Sequence, residues 1–113
     1  MNDCLFCSIA DHETPATFVR DEPDVLAIRD VNPQAPTHVL VLPREHIMSA
    51  AELTREQADL WSRMLAVAQE IARDEGLESG YRLVVNIGRQ GGQTVSHLHV
   101  HLLGGRQMTW PPG

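Results

Sequence analysis

Lysine is absent from these 113 residues, and all nine basic side chains are arginine. That absence excludes Schiff-base chemistry and the lysine of a P-loop together. Positive charge is scarce overall: nine basic against fifteen acidic residues leave a formal net charge of −6. A general nucleic-acid binder shows a basic face, so this balance argues against one. It leaves room for a small phosphorylated ligand, which a few side chains and backbone amides can hold. No apolar run approaches the ~18 residues of a membrane span. The N-terminal segment has neither the basic start nor the long apolar run of a signal peptide, so the expected location is the cytoplasm and no membrane partner is expected. Repeats, low-complexity tracts and linkers are also missing. Cysteine occurs only twice, as Cys4 and Cys7, and in a reducing compartment a C-x-x-C pair reads as metal ligands or a redox pair rather than a structural disulfide.

Apolar residues at 42% and charged residues at 21% suit a globular chain. The length fits one compact domain, residues 1–113, which buries roughly two-thirds of its unfolded surface. Residues 5–10 can form a short helix ahead of a turn at Thr14-Pro15. Val25–Asp30 alternates weakly and reads as a strand. Asn32 to Pro36 is a turn, and His38–Leu42 is an apolar run short enough for a buried strand. The spacing predicts a helix from Thr54 to Glu75. Thr54 and Gln57 suit a capping box, Trp61, Met64, Leu65, Ala68, Ile71 and Ala72 repeat on one face, and Gly76 stops it. Tyr81–Ile87 and Ser96–Leu103 read as strands around a glycine-rich loop, Gly88 to Gln93. Five strands with one long and one short helix predict an α+β domain with a mostly antiparallel sheet.

Chemistry concentrates in His97-Leu98-His99-Val100-His101. On a strand the three imidazoles share one face, while Leu98, Val100 and Leu102 face the other way. Each imidazole has two ring nitrogens to satisfy, so three together are hard to explain as core filling. His97 and His101 lie roughly 13 Å apart on a regular strand. One zinc, with bonds to nitrogen of about 2 Å, could not collect all three. The spacing suits a division of labour along an extended substrate, and a neutral imidazole is a good nucleophile toward phosphorus. The loop just before adds Gly91 and Gly92, whose backbone amides can turn toward an anion, and the hydroxyls of Thr94 and Ser96.

His97-Leu98-His99-Val100-His101-Leu102-Leu103 resembles the His-φ-His-φ-His-φ-φ signature of the histidine-triad (HIT) superfamily, where φ is apolar. The likeness runs along nearly the whole chain. Phe6 to Ile9, followed by Thr14-Pro15-Ala16, resembles the family's opening segment. Asp30 to His38 is similar to its strand–turn–strand. Val85-Asn86 stands where the family places an asparagine on the ribose or phosphate. The ending, Gly104-Gly105-Arg106-Gln107-Met108-Thr109-Trp110-Pro111-Pro112-Gly113, is similar to that of the histidine-triad nucleotide-binding (HINT) branch. That tail separates the branch from the dinucleoside-polyphosphate hydrolases better than the triad does.

The resemblance implies a HIT-like fold and a purine nucleoside phosphoramidate hydrolase, an adenosine phosphoramidase. His99 would attack the α-phosphorus and carry the nucleotidyl group, and water would then release AMP. His101 would hydrogen-bond the phosphate or leaving-group region. Asn86, Gly92, Gln93 and Thr94 would surround the phosphate, and Asp30 would hold the ribose. Phe6, Ile9, Ile28 and Val31 would enclose the base. The family also implies a homodimer with a ten-stranded sheet, joined through the long helix and the strand at Tyr81–Ile87. Trp110 on the tail would reach toward the partner's pocket. Similarity to the zinc-containing bacterial members implies a structural zinc on Cys4, Cys7, His46 and His97, and no organic cofactor. Thr94 stands where the branch often has serine, and Thr109 where the tail often has histidine, which bears on leaving-group choice. The same His99 could instead serve a dinucleoside-polyphosphate hydrolase or a nucleotidyl transferase, or the chain could be a non-enzymatic nucleotide-binding module. Asp30 also suits a cap for the turn that follows. His38 beside its buried run reads as structural, His12 as an exposed loop residue, and Trp61 and Met64 as core or interface.

Overall fold

Two stretches of unbroken apolar sequence become the central strands because both of their faces are covered. The computed structural model describes residues 3–113. Its order is α1 (Leu5–Ala10), β1 (Phe18–Asp21), β2 (Val25–Arg29), β3 (Thr37–Pro43), α2 (Ala58–Asp74), β4 (Tyr81–Val84) and β5 (Val100–Gly104), with short 3₁₀ turns at Ala50–Glu52 and Arg55–Gln57. The strands form one sheet in the order β1-β2-β3-β5-β4. Every neighbouring pair is antiparallel.

Alternate residues of β2 and β3 face opposite layers. Val25, Ala27, Val39 and Val41 join Leu98, Val100 and Leu102 under α2. Leu26, Ile28, Leu40 and Leu42 join Phe6, Ile9 and Ala10 of α1 on the other side. The α2 residues entering the core are Met64, Val67, Ala68, Ile71 and Ala72, a three-and-four spacing on one stripe. Fully burying a side chain such as Met64, Val67 or Ile71 is worth about 1.5–3 kcal/mol each. Ion pairs brace the outside of the same helix: Arg63 with Glu22 and Asp24, Arg29 with Glu75, and Arg20 with Asp74. No helix among the described residues is long and apolar enough to cross a membrane.

Several sequence-derived boundaries move. The expected Thr54–Glu75 helix begins as a 3₁₀ turn, and α2 proper covers Ala58–Asp74. The cap is where it was expected, with the Thr54 N–H donating to the Gln57 carboxamide at 2.9 Å. Val67 is in the core, while Leu65 is only half-buried. Met64 is fully enclosed by its own protomer and so is not available as interface filling; Trp61 packs partly against the same core. The strand expected at Tyr81–Ile87 stops at Val84.

The strand expected at Ser96–Leu103 starts only at Val100. The physical reason lies across the sheet. Val41 pairs with Val100, so the next positions along β3 lead to Pro43, which has no N–H to continue the ladder. The Leu98 N–H instead donates to the Ile47 carbonyl at 2.6 Å. His97 and His99 therefore lie on an irregular approach to β5 that includes a bend at His97, although both rings face Phe6 while Leu98 packs under α2, as in a strand.

Candidate active site and metal cluster

The triad histidines occupy the α1 side of the sheet. His97 is fully buried, His99 is 7% exposed, and His101 is half-buried. Phe6 from α1 meets both buried rings edge-on, with centroids 5.8 Å from His97 and 5.0 Å from His99. Phe6, Ile9 and Ile28 form one apolar cluster beside His99.

Backbone groups have fixed hydrogen-bonding roles, so they assign the imidazole tautomers. His99 Nδ1 lies 2.7 Å from the His97 carbonyl. A carbonyl only accepts, so Nδ1 carries a proton, and in the neutral ring the lone pair is on Nε2. His38 Nδ1 accepts from the Gln34 N–H at 3.0 Å. Its proton is therefore on Nε2, which lies 2.9 Å from His101 Nδ1 and 3.3 Å from the Asp30 carboxylate. His101 Nδ1 then accepts, and His101 Nε2–H is left as a donor. Burial lowers His101 to about 4, with the charges of His99 and His38 acting in the same direction. Burial also lowers His38, against the opposing pull of Asp30. Both rings are neutral near pH 7. In its neutral form His99 presents an Nε2 lone pair beside the His101 Nε2–H, the pairing that displacement at phosphorus requires.

His38, read from the sequence as structural, also joins the hydrogen-bonded line behind His101. The sequence signal was present: His38 shares parity with Leu40 on β3, and Leu40 pairs with His101. Finding it needed the β3–β5 register. Asp30 caps the turn as expected and also faces a histidine that the sequence had not linked to it. One oxygen caps the turn by accepting the Asn32 N–H at 2.8 Å, and the other faces His38.

The glycine loop is closed by its own bonds. Gly92 N–H donates to the Arg89 carbonyl at 3.0 Å and Gln93 N–H to the Gly88 carbonyl at 3.1 Å. The Gly92 amide is thus committed inside the loop, contrary to the expectation that it turns toward an anion; its φ of +86° is what calls for glycine there. A Cβ on Gly91 would collide with the Ile87 carbonyl. The Gln93 carboxamide accepts from Gly88 N–H and donates to the carbonyls of Met48 and Val95, so it shapes the loop with all of its groups engaged. Asn86 lies beside Gly92, and Thr94 is exposed. Val31 is 99% exposed and stands outside the apolar cluster, and Trp110 is 81% exposed. The tail bearing Trp110 is tied to β4 by Arg82, which donates to the Thr109 carbonyl at 2.9 Å. Three strand spacings separate β4 from β2, about 14 Å, so one chain does not bring Trp110 to the base cluster. A hollow of about 800 Å³ also lies along β4, lined by residues such as Tyr81, Leu83 and Met108. Its lining includes none of the histidines.

Cys4, Cys7, His46 and His97 converge as expected, with ligand atoms all within 4.8 Å of one another. Cys4 Sγ to His97 Nδ1 is 3.3 Å, Cys7 Sγ to His46 Nδ1 is 3.3 Å, and Cys7 Sγ to His97 Nδ1 is 3.5 Å. Tetrahedral zinc with its usual bond lengths sets sulfur and nitrogen about 3.6 Å apart, so little movement is needed. His97 Nε2 donates to the Pro43 carbonyl at 2.8 Å. That places the lone pair on Nδ1, toward the thiols, with a backbone acceptor orienting the ring. Burial, and then Cys4, raises the Cys7 thiol to about 11, so a metal must displace its proton. The residues fit a closed four-ligand site. Asp30, His38 and His101 are equally close together, but they fail the same test. The Gln34 N–H occupies His38 Nδ1, which leaves Nε2 protonated and unable to ligate.

A family profile described as the HIT domain matches residues 11–108. The chain belongs to the HIT family. A solved HIT family hydrolase from Legionella pneumophila superposes with a TM-score of 0.97 at 52% identity, covering 98% of this chain and 100% of that one. A curated relative from Zea mays, the 14 kDa zinc-binding protein, is 48% identical over 96% of this chain and 87% of its own length. A zinc-bound histidine triad family protein from Mycobacterium smegmatis has a TM-score of 0.80 at 32% identity, covering 92% of this HIT chain and 76% of its own.

Proposed function

We propose that this HIT chain is a purine nucleoside phosphoramidate hydrolase of the HINT branch, acting through a nucleotidyl-histidine and releasing AMP. The observation that carries the reading is the bond from His99 Nδ1–H to the His97 carbonyl, which leaves the Nε2 lone pair free. His99 Nε2 bonds to the α-phosphorus as the phosphorus–nitrogen bond breaks, and the amine departs with a proton taken from solvent water. Water then cleaves the phosphorus–histidine bond. Two displacements replace one difficult step. His101 Nε2–H donates to a phosphate oxygen as charge develops there, and Asn86 and Thr94 flank the same group. Phe6, Ile9 and Ile28 take the base, with Val31 at the rim, and Asp30 takes the ribose hydroxyls.

The Cys4, Cys7, His46 and His97 cluster is proposed to hold structural zinc. This is supported by its donor set and tautomer and by the names of the maize and mycobacterial proteins. A bound ion there ties the start of α1 to the approach of β5 and leaves no open position for water. Free thiols of this kind suit the reducing cytoplasm. A homodimer through β4 is proposed because its outer edge presents ladder groups beside the exposed Tyr81 and Leu83. Pairing two such edges would make the ten-stranded sheet and set the tail beside the partner.

The test is rapid, acid-free quenching during turnover of an adenosine phosphoramidate, followed by peptide mapping. One nucleotidyl group per site on His99, lost in His99→Ala, is the expected result. Label on His101 or on a carboxylate overturns the assignment.

A further inference from the structure

The tautomer of His101 is set from outside the site, by a single peptide. His38 Nδ1 accepts from the Gln34 N–H at 3.0 Å, and His38 Nε2 meets His101 Nδ1 at 2.9 Å. Gln34 lies in an exposed turn with no regular secondary structure to hold it. What restrains it comes from the far end of β5. Arg106 Nε donates to the Gln34 carbonyl at 3.0 Å, although 72 residues separate the two. The Gln34 side chain closes the turn by donating to the Asn32 carbonyl at 3.0 Å. Gly105 has a φ of +91°, and a Cβ there would stand 2.9 Å from the Pro36 Cβ. Its missing side chain lets the chain after His101 lie directly against the turn.

We infer that Gly105 and Arg106 are positioning residues: they clamp the Gln34 peptide against His38 and so hold His101 with its proton on Nε2. The Gln34 N–H is the only fixed donor in this line, because an imidazole nitrogen can play either role. Without it, the Asp30 carboxylate, 3.3 Å from His38 Nε2, is the one remaining group that favours the proton there, and His38 can also place its proton on Nδ1 and offer Nε2 as a lone pair. His101 Nδ1 must then donate, and His101 Nε2 would meet a phosphate oxygen lone pair to lone pair. The consequence for the phosphate rests on the proposed hydrolase reading; the tautomers themselves do not.

The experiment reads the tautomers directly. Protein labelled with ¹⁵N-histidine, free of nucleotide and near pH 7, is examined by long-range proton–nitrogen correlation. Wild type should show His38 and His101 protonated at Nε2 only. Gln34→Pro, which deletes the N–H, should turn His101 into a mixture and weaken AMP binding by about tenfold or more, the share of one hydrogen bond to a charged group. Arg106→Met and Gly105→Ala should shift both rings part of the way, and Arg106→Lys should restore them. A purely structural role would lower the melting temperature and leave the tautomers unchanged. Unaltered His38 and His101 tautomers in folded Gln34→Pro overturn the inference. If that variant does not fold, unaltered tautomers in both Arg106→Met and Gly105→Ala overturn it. Absence of phosphoramidate turnover by wild type would count against the hydrolase reading alone, since the tautomers are measured without nucleotide.

Discussion

Replacing His38 with phenylalanine separates the site's hydrogen bonding from its packing. The ring space, 5% exposed, stays filled. Two hydrogen bonds disappear: the one from Gln34 N–H and the one to His101 Nδ1. Gln34 is exposed, so water can replace its lost acceptor. His101 is half-buried, and its Nδ1 loses a donor in a place where water enters less easily. An unsatisfied buried group costs about 1–3 kcal/mol; with one group of the two affected, and only partly buried, a loss of about 1–2 kcal/mol is expected. In a domain of this size that lowers the melting temperature by roughly 4–10 °C. The larger effect is on the ligand. A hydrogen bond to a charged group contributes about 1.5–3 kcal/mol, which is about 10- to 150-fold in affinity. The His101 tautomer is freed rather than reversed in this variant, so AMP affinity should fall by about tenfold, at the lower end of that range. Calorimetric AMP titration and kcat/KM for an adenosine phosphoramidate measure it, while the quench experiment should still find the nucleotidyl group on His99. Affinity and kcat/KM within about twofold of wild type, with an unchanged melting temperature, would refute the reasoning.

Removing metal with a chelator, or by Cys7→Ser, should lower thermal stability and weaken AMP binding before it abolishes turnover, because Phe6 lies between the two cysteines and leans on His99. Less than about a tenth of an equivalent of zinc in protein purified without added metal, with no stabilisation by zinc, would remove that role. Sedimentation at micromolar concentration should give twice the chain mass, and a monomer would leave the β4 edge without the partner proposed for it. Acid should act through His101. Its folded value of about 4 lies below the ~6.5 of a free imidazole, so the unfolded chain takes up this proton first. The stability it contributes is complete above pH ~6.5 and is lost as pH falls toward 4. Thermal melts across that range in wild type and His101→Gln should converge at the acid end; parallel curves would rule out this group as the cause.

The sequence by itself determined the layers, the long helix and the family signature that names the candidate site residues. Helical spacing placed Met64, Ala68, Ile71 and Ala72 on the core stripe, and two-residue spacing put Leu98, Val100 and Leu102 opposite the histidines. Both patterns are local, and burial only has to agree with them. Cys4 and Cys7 stood out as metal ligands or a redox pair for the same reason, since spacing within one turn is a local property. Tertiary structure decided whatever depends on a partner distant in the chain. His38 reads as filling until the β3–β5 register sets it against His101. The strand toward His97 ends early because Pro43, across the sheet, cannot extend the ladder. Each imidazole can hold its proton on either nitrogen, and only the neighbouring carbonyl or amide selects one. Those neighbours are the His97 carbonyl for His99, the Pro43 carbonyl for His97 and the Gln34 amide for His38. A linear pattern names the residues that can attack, donate or ligate; the fold decides which atom of each one does so.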